Sequence, residues 1–144
     1  VGAGIFGLCL LVAGCGSQQV NREEEQSNLK PLATLYGQYI GQHRGQPPAT
    51  EAAFKEFVKS QGKPLLDSFG KTNVDELFIS SRDGKPYVIR CGAAAAQGPP
   101  GPAGQPVVIY EQEGVDGKRF VASSMGAVEQ VDEARFKVLV PSAP

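Results

Sequence analysis

The chain reads as an α+β protein: N-terminal amphipathic helices packed on an antiparallel meander sheet of about five strands, with a short C-terminal helix. Three observations carry this reading. Apolar side chains recur at helical spacing between residues 28 and 60. From Asp75 onward, short apolar runs are separated by Asp-Gly turn signals. A final stripe within residues 132–140 returns to helical spacing. Helices followed by strands, rather than alternating with them, point to α+β rather than α/β.

The first helix is predicted from about Asn28 to His43. Leu32, Leu35, Tyr36, Tyr39, Ile40 and His43 share one face, Ser27 or Asn28 stands at the cap, and Gly45 with Pro47-Pro48 ends it. Gly37 and Gly41 cost about 1 kcal/mol each relative to Ala, so packing must hold the helix. A second helix begins at Thr50 as N-cap, carries Ala53, Phe54, Phe57 and Val58 inward, and stops at Gly62. Lys63 to Phe69 adds a short turn with Leu65, Leu66 and Phe69 facing in.

The extended part starts with Leu77-Phe78-Ile79 and Tyr87-Val88-Ile89 flanking Arg82-Asp83-Gly84-Lys85, a hairpin signal because Asp-Gly suits positive φ. Val107-Val108-Ile109-Tyr110 and Phe120-Val121-Ala122 flank Asp116-Gly117-Lys118, the same device again. Ser123 to Gly126 turns the chain into Ala127–Val131, and Phe136, Leu139 and Val140 line the last helix. Residues 92–106 interrupt the meander with an Ala, Gly and Pro-rich stretch, expected to be a mobile, polyproline-like insertion; its few Gly triplets are too short for a collagen helix.

At the other end, residues 1–14 carry no charge and contain Ile5, Phe6, Leu8, Leu10, Leu11 and Val12. The run is shorter than the roughly 20 residues of a membrane-spanning helix and suits a signal-peptide core. No basic segment or Met precedes it, so the leader is expected to be truncated at its start. Leu11-Val12-Ala13-Gly14-Cys15 resembles the lipobox of bacterial lipoproteins. The resemblance implies lipid attachment at Cys15 and a mature chain beginning there. Residues 15–28 are polar and read as a flexible tether, holding a single domain at 29–144 some 20 Å from the bilayer on average. The expected address is the extracytoplasmic face of a bacterial membrane. Gly16, where an Asp is associated with inner-membrane retention, slightly favours the outer membrane.

The formal charge of −1 and the lack of a basic patch argue against a nucleic-acid partner. Once Cys9 leaves with the leader and Cys15 is acylated, Cys91 has no partner in the chain; a small, buried apolar role is expected of it. His43 is the only histidine, and its place at a helix end suits contact with terminal carbonyls. Neither residue sits in a nucleophile-elbow or oxyanion motif, no zinc-ligand spacing occurs, and no glycine-rich phosphate loop is present. No cofactor is expected. Glu111, Glu113 and Asp116 cluster near one turn and are weak calcium candidates; a solvated acidic turn neutralised by Lys118 and Arg119 is the expected reading.

The element order, with Arg82-Asp83-Gly84-Lys85-Pro86-Tyr87 and Phe120 followed by Gly126 and Val128, resembles the globular part of pseudopilin-like proteins of the type II secretion and type IV pilus class over about residues 28–131. That likeness implies an accessory subunit of a secretion or pilus system. The first expectation remains a membrane-anchored lipoprotein with a non-enzymatic structural or protein-interaction role and an unidentified protein partner. An enzyme of unrecognised type is the third.

Overall fold

The computed structural model describes residues 27–141. The expected leader, Cys15 and the tether up to residue 26 lie outside the described residues. Helix α1 spans Leu29–Gln42 and buries Leu29, Leu32, Ala33, Leu35 and Tyr36 along one face. Asn28 stands at its N-cap, and Ser27 just before it accepts from the Leu29 amide through Oγ at 3.3 Å. The Asn28 side chain does different work: its Nδ2 donates to the carbonyls of Glu76 and Ile79 at 2.9 and 3.0 Å. Helix α2, Glu51–Ser60, is capped by Thr50, whose hydroxyl accepts from the Ala53 amide. Helix α3, Gly62–Ser68, follows at once, and Leu65, Leu66 and Phe69 pack half-buried against the core.

The sheet has four antiparallel strands in sequential order, β1 (Val88–Ile89), β2 (Val107–Tyr110), β3 (Lys118–Ser123) and β4 (Val128–Asp132). The fifth expected strand, Leu77–Ile79, is instead the end of a 3-10 turn, Val74–Phe78. Val74, Leu77 and Phe78 stand at i, i+3 and i+4, and all three are buried, which suits a helical turn better than a strand. Asn73 fixes its start by accepting from the Asp75 amide at 2.9 Å. A remnant of the expected pairing survives, with Tyr87 N bonded to Phe78 O and Ser80 N to Lys85 O.

Both faces of the sheet are covered. α1, α2 and the 3-10 turn lie over Ile89, Val108, Ile109, Phe120 and Ala122. Helix α4, Glu133–Leu139, covers the other face, burying Phe136 and Leu139 with Val107, Tyr110, Val121 and Val131. A register shift between Val107 and Ile109 makes this two-sided core possible. Val107 opposes Ser123 while Ile109 opposes Ala122, so Val108 is an extra residue, a β-bulge. Strict alternation would put Val107 and Ile109 on one face; the bulge sends Val107 with Tyr110 toward α4 and Val108 with Ile109 toward α1.

Gly37 has a use that its helix propensity hides. A Cβ there would lie 2.2 Å from the Ser124 carbonyl, so α1 can touch the β3–β4 turn only because the side chain is absent. The 92–106 insertion departs from expectation in conformation. It folds back as two 3-10 turns, Gly92–Ala96 and Pro102–Gly104, and buries Ala95 and Pro102. The buried Arg90 guanidinium fastens it after the first turn and at its far end, Nη1 donating to Gln97 O at 2.9 Å and to Val107 O at 2.8 Å. Among the described residues no helix is long and apolar enough to cross a membrane.

Candidate functional site

The densest polar cluster joins the Ser80–Lys85 loop to the segment after β2. Downstream of the bulge, Glu111 shares a face with Ile109 two residues before it, so its carboxylate enters the α1 side of the core. The side chain is fully buried. Oε1 accepts from the Ser80 hydroxyl at 2.9 Å; Oε2 accepts from Arg82 at 2.6 Å and from the Phe120 amide at 2.8 Å. The Arg82 guanidinium also lies over the Phe120 ring, 4.2 Å from its centroid. Burial pushes the Glu111 carboxyl above its ordinary value, against the pull of the Phe120 amide, Arg82 and Ser80.

Asp83 performs the second half of the junction. Its Oδ1 accepts from the Lys85 amide at 2.9 Å, closing its own loop. Its Oδ2 accepts from the Glu113 and Gly114 amides at 3.2 and 2.9 Å, on the neighbouring loop. Burial works to raise this carboxyl, but the amides of Lys85, Gly114 and Glu113 together with Ser80 hold it below its ordinary value. Lys85 pairs with Glu113 at the solvent edge. Tyr87 lies nearby, and burial raises its phenol well above the usual range, keeping it neutral.

The three carboxylates singled out in the sequence therefore have separate fates. Glu111 is a buried anion held by Arg82, not part of a solvated turn, and Glu113 is matched by Lys85. Asp116 occupies a tight turn at φ 52°. Lys118 and Arg119 are not the neutralising groups; Arg119 pairs with Glu133 across to α4. Among the described residues no group of three or more His, Cys, Asp or Glu side chains is placed to hold a metal ion. Both Glu111 oxygens are engaged by Ser80, Arg82 and the Phe120 amide and one Glu113 oxygen by Lys85, so the cluster is a clamp between loops. Sequence reading missed Arg82 and Asp83 as its other half. The available signal was Asp83 two residues before Lys85, the spacing of an Asx turn.

His43 and Cys91 are not joined by any hydrogen bond among the described residues. His43 bonds the Tyr39 carbonyl through Nδ1 at 2.8 Å and stacks on the Tyr39 ring at 3.8 Å, as a helix-end residue would. Cys91 is half-buried and has no disulfide partner among the described residues, and burial, with Glu51 beside it, raises its thiol away from the reactive thiolate. Two grooves lie on the surface of the described residues. One, about 320 Å³, is uncharged and lined by Ile40, Pro47, Ala95, Ala96, Pro106 and Val108 among others. The other, about 550 Å³, lies between α2, α3 and the start of the 3-10 turn and carries Lys59, Lys63 and Lys71. No protein-family model, curated protein or solved structure matches the chain.

Proposed function

We propose that this is a membrane-anchored lipoprotein of a bacterial cell envelope, acylated at Cys15, whose domain acts through binding rather than catalysis. The observation that carries the reading is Cys15 itself: it closes an uncharged apolar run with small residues before it and a polar linker after it. The domain gives secondary support. Its most chemically suggestive groups are engaged in holding the fold: Glu111 by Arg82, Asp83 by three amides, His43 by Tyr39. A thiol held above its ordinary pKa is a poor nucleophile at neutral pH. The proposed partners are the membrane, through the acylated cysteine, and a protein. A second reading, an accessory subunit of pseudopilin-like build, is favoured by the sequential antiparallel strands behind an N-terminal helix.

The test is expression of the gene in a bacterium fed labelled palmitate, followed by fractionation. The native chain should take up label and pellet with membranes, and Cys15→Ala should do neither. A native chain that stays unlabelled would overturn the anchor. Cross-linking in the same cells to a secretion or pilus subunit would select the second reading.

A further inference from the structure

We propose that the lysine-rimmed groove is a seat for the phosphate of an anionic phospholipid headgroup, laying the tethered domain face-down on its own membrane. The inference rests on the lipid anchor at Cys15 and adds which face meets the bilayer. Charge is the first argument. The lining holds Lys59, Lys63 and Lys71 against one acidic residue, Asp67. Lys63 meets Asp67 at 2.8 Å and Lys59 meets Glu56 at 3.2 Å, but all four side chains are more than half exposed. Such water-screened pairs hold their ammonium groups weakly and can exchange a carboxylate for a phosphate. Lys71 has no carboxylate partner among the described residues. The apolar groove has no charged group in its lining and offers no comparable seat.

Position is the second argument. Val74 lines the groove and opens the 3-10 turn; two residues on, Glu76 O receives the Asn28 amide, where the tether joins α1. Tether entry and groove wall therefore belong to one turn. Ile79, bonded to Asn28 through its carbonyl, is an exposed aliphatic side chain on the same segment. On the proposed anchor, a linker of this length would hold the domain roughly 20 Å from the bilayer on average, so a weak headgroup contact would act at high local concentration. An anionic surface attracts basic groups within about a Debye length, roughly 8–10 Å, a separation that lies inside the tether's average reach.

The experiment uses the mature protein as isolated from its host, in vesicles of phosphatidylcholine alone or with phosphatidylglycerol added. Amide hydrogen exchange over residues 59–74 is the readout. Exchange there should slow by about tenfold only when the anionic lipid is present. The Lys59→Gln/Lys63→Gln/Lys71→Gln protein should lose that protection while keeping the native urea midpoint. Equal exchange in both vesicle types, or protection that survives the triple substitution, overturns the proposal. Protection by inorganic phosphate alone, without vesicles, would assign the groove to a soluble anion and also overturn the lipid. Failure of the anchor is seen separately, as absence of palmitate label on the isolated protein, which is read independently of the exchange pattern.

Discussion

The tripeptide Asp-Gly-Lys occurs twice, at Asp83–Lys85 and at Asp116–Lys118, and the two copies fold differently. At the second, Asp116 and Gly117 have φ of 52° and 71°, and Val115 and Lys118 exchange both backbone hydrogen bonds. That is a two-residue type I′ hairpin, complete in its local bonding. At the first, only Gly84 has positive φ, the loop closes over six residues from Ser80 to Lys85, and Asp83 turns inward to serve two loops. The difference lies outside the tripeptide. Phe78 leaves a 3-10 turn rather than a strand, so a wider loop is needed, and Ser80 and Arg82 then meet a buried Glu111. A local turn signal fixes geometry only where both flanks are strands.

The contrast is broken most directly at Glu111. Glu111→Ala removes the buried carboxylate that Ser80 and Arg82 donate to and leaves the Phe120 amide without this acceptor, and should cost about 3–5 kcal/mol in urea unfolding. Asp83→Ala is next, at about 1–3 kcal/mol, because three amides lose a charged acceptor, but one of the three bonds is exposed and the other two are only part-buried. Gly117→Ala should cost about 1–2 kcal/mol, the strain of a side chain at left-handed φ, with no effect on the first loop. Lys85→Ala, at an exposed pair, should change stability by about 0–1 kcal/mol, and that change should vanish in high salt. If Gly117→Ala proved costlier than Glu111→Ala, the two turns would not divide into a local and a nonlocal type.

Titration sharpens the same comparison. The folded pKa of Glu111 lies above its ordinary 4.5, so its contribution to stability is full below that value and declines as pH rises through the folded one. The folded pKa of Asp83 lies below its ordinary 3.8, so its contribution is full above that value and is lost as pH falls through the folded one. The deficit of Glu111→Gln against the native protein should therefore shrink as pH rises, and that of Asp83→Asn should shrink as pH falls. Urea midpoints taken across acid to neutral pH read both trends; deficits moving together would show that the clamp titrates as one unit.

Much of the fold was legible because it is encoded locally. The stripe of α1, the Thr50 cap, the Asp116-Gly117 turn and the Phe136–Leu139 face each follow from residues within one or two turns of each other. What escaped depends on distance. Val74, Leu77 and Phe78 had helical spacing but sat beside an apparent hairpin signal, so the turn between Leu77 and Tyr87 was read as joining two strands. The burial of Glu111 depends on Arg82, 29 residues away, and on a bulge that no composition announces. Gly37 looked like a weakness of α1 until Ser124, 87 positions later, came to rest against it.

The double hydrogen bond from Asn28 to Glu76 and Ile79 also sets how this domain carries mechanical load. Any pull delivered through residues 15–26 enters the described domain at Ser27, one residue before that bond. Tension is then shared between the axis of α1 and the segment leading to Ser80, and from Ser80 through Glu111 into the centre of the sheet. The carboxamide is a strain relief of the kind fitted where a cable enters its housing. With Asn28→Ala more of the force would fall on the first turn of α1, and that helix should peel at lower tension in a single-molecule pulling trace.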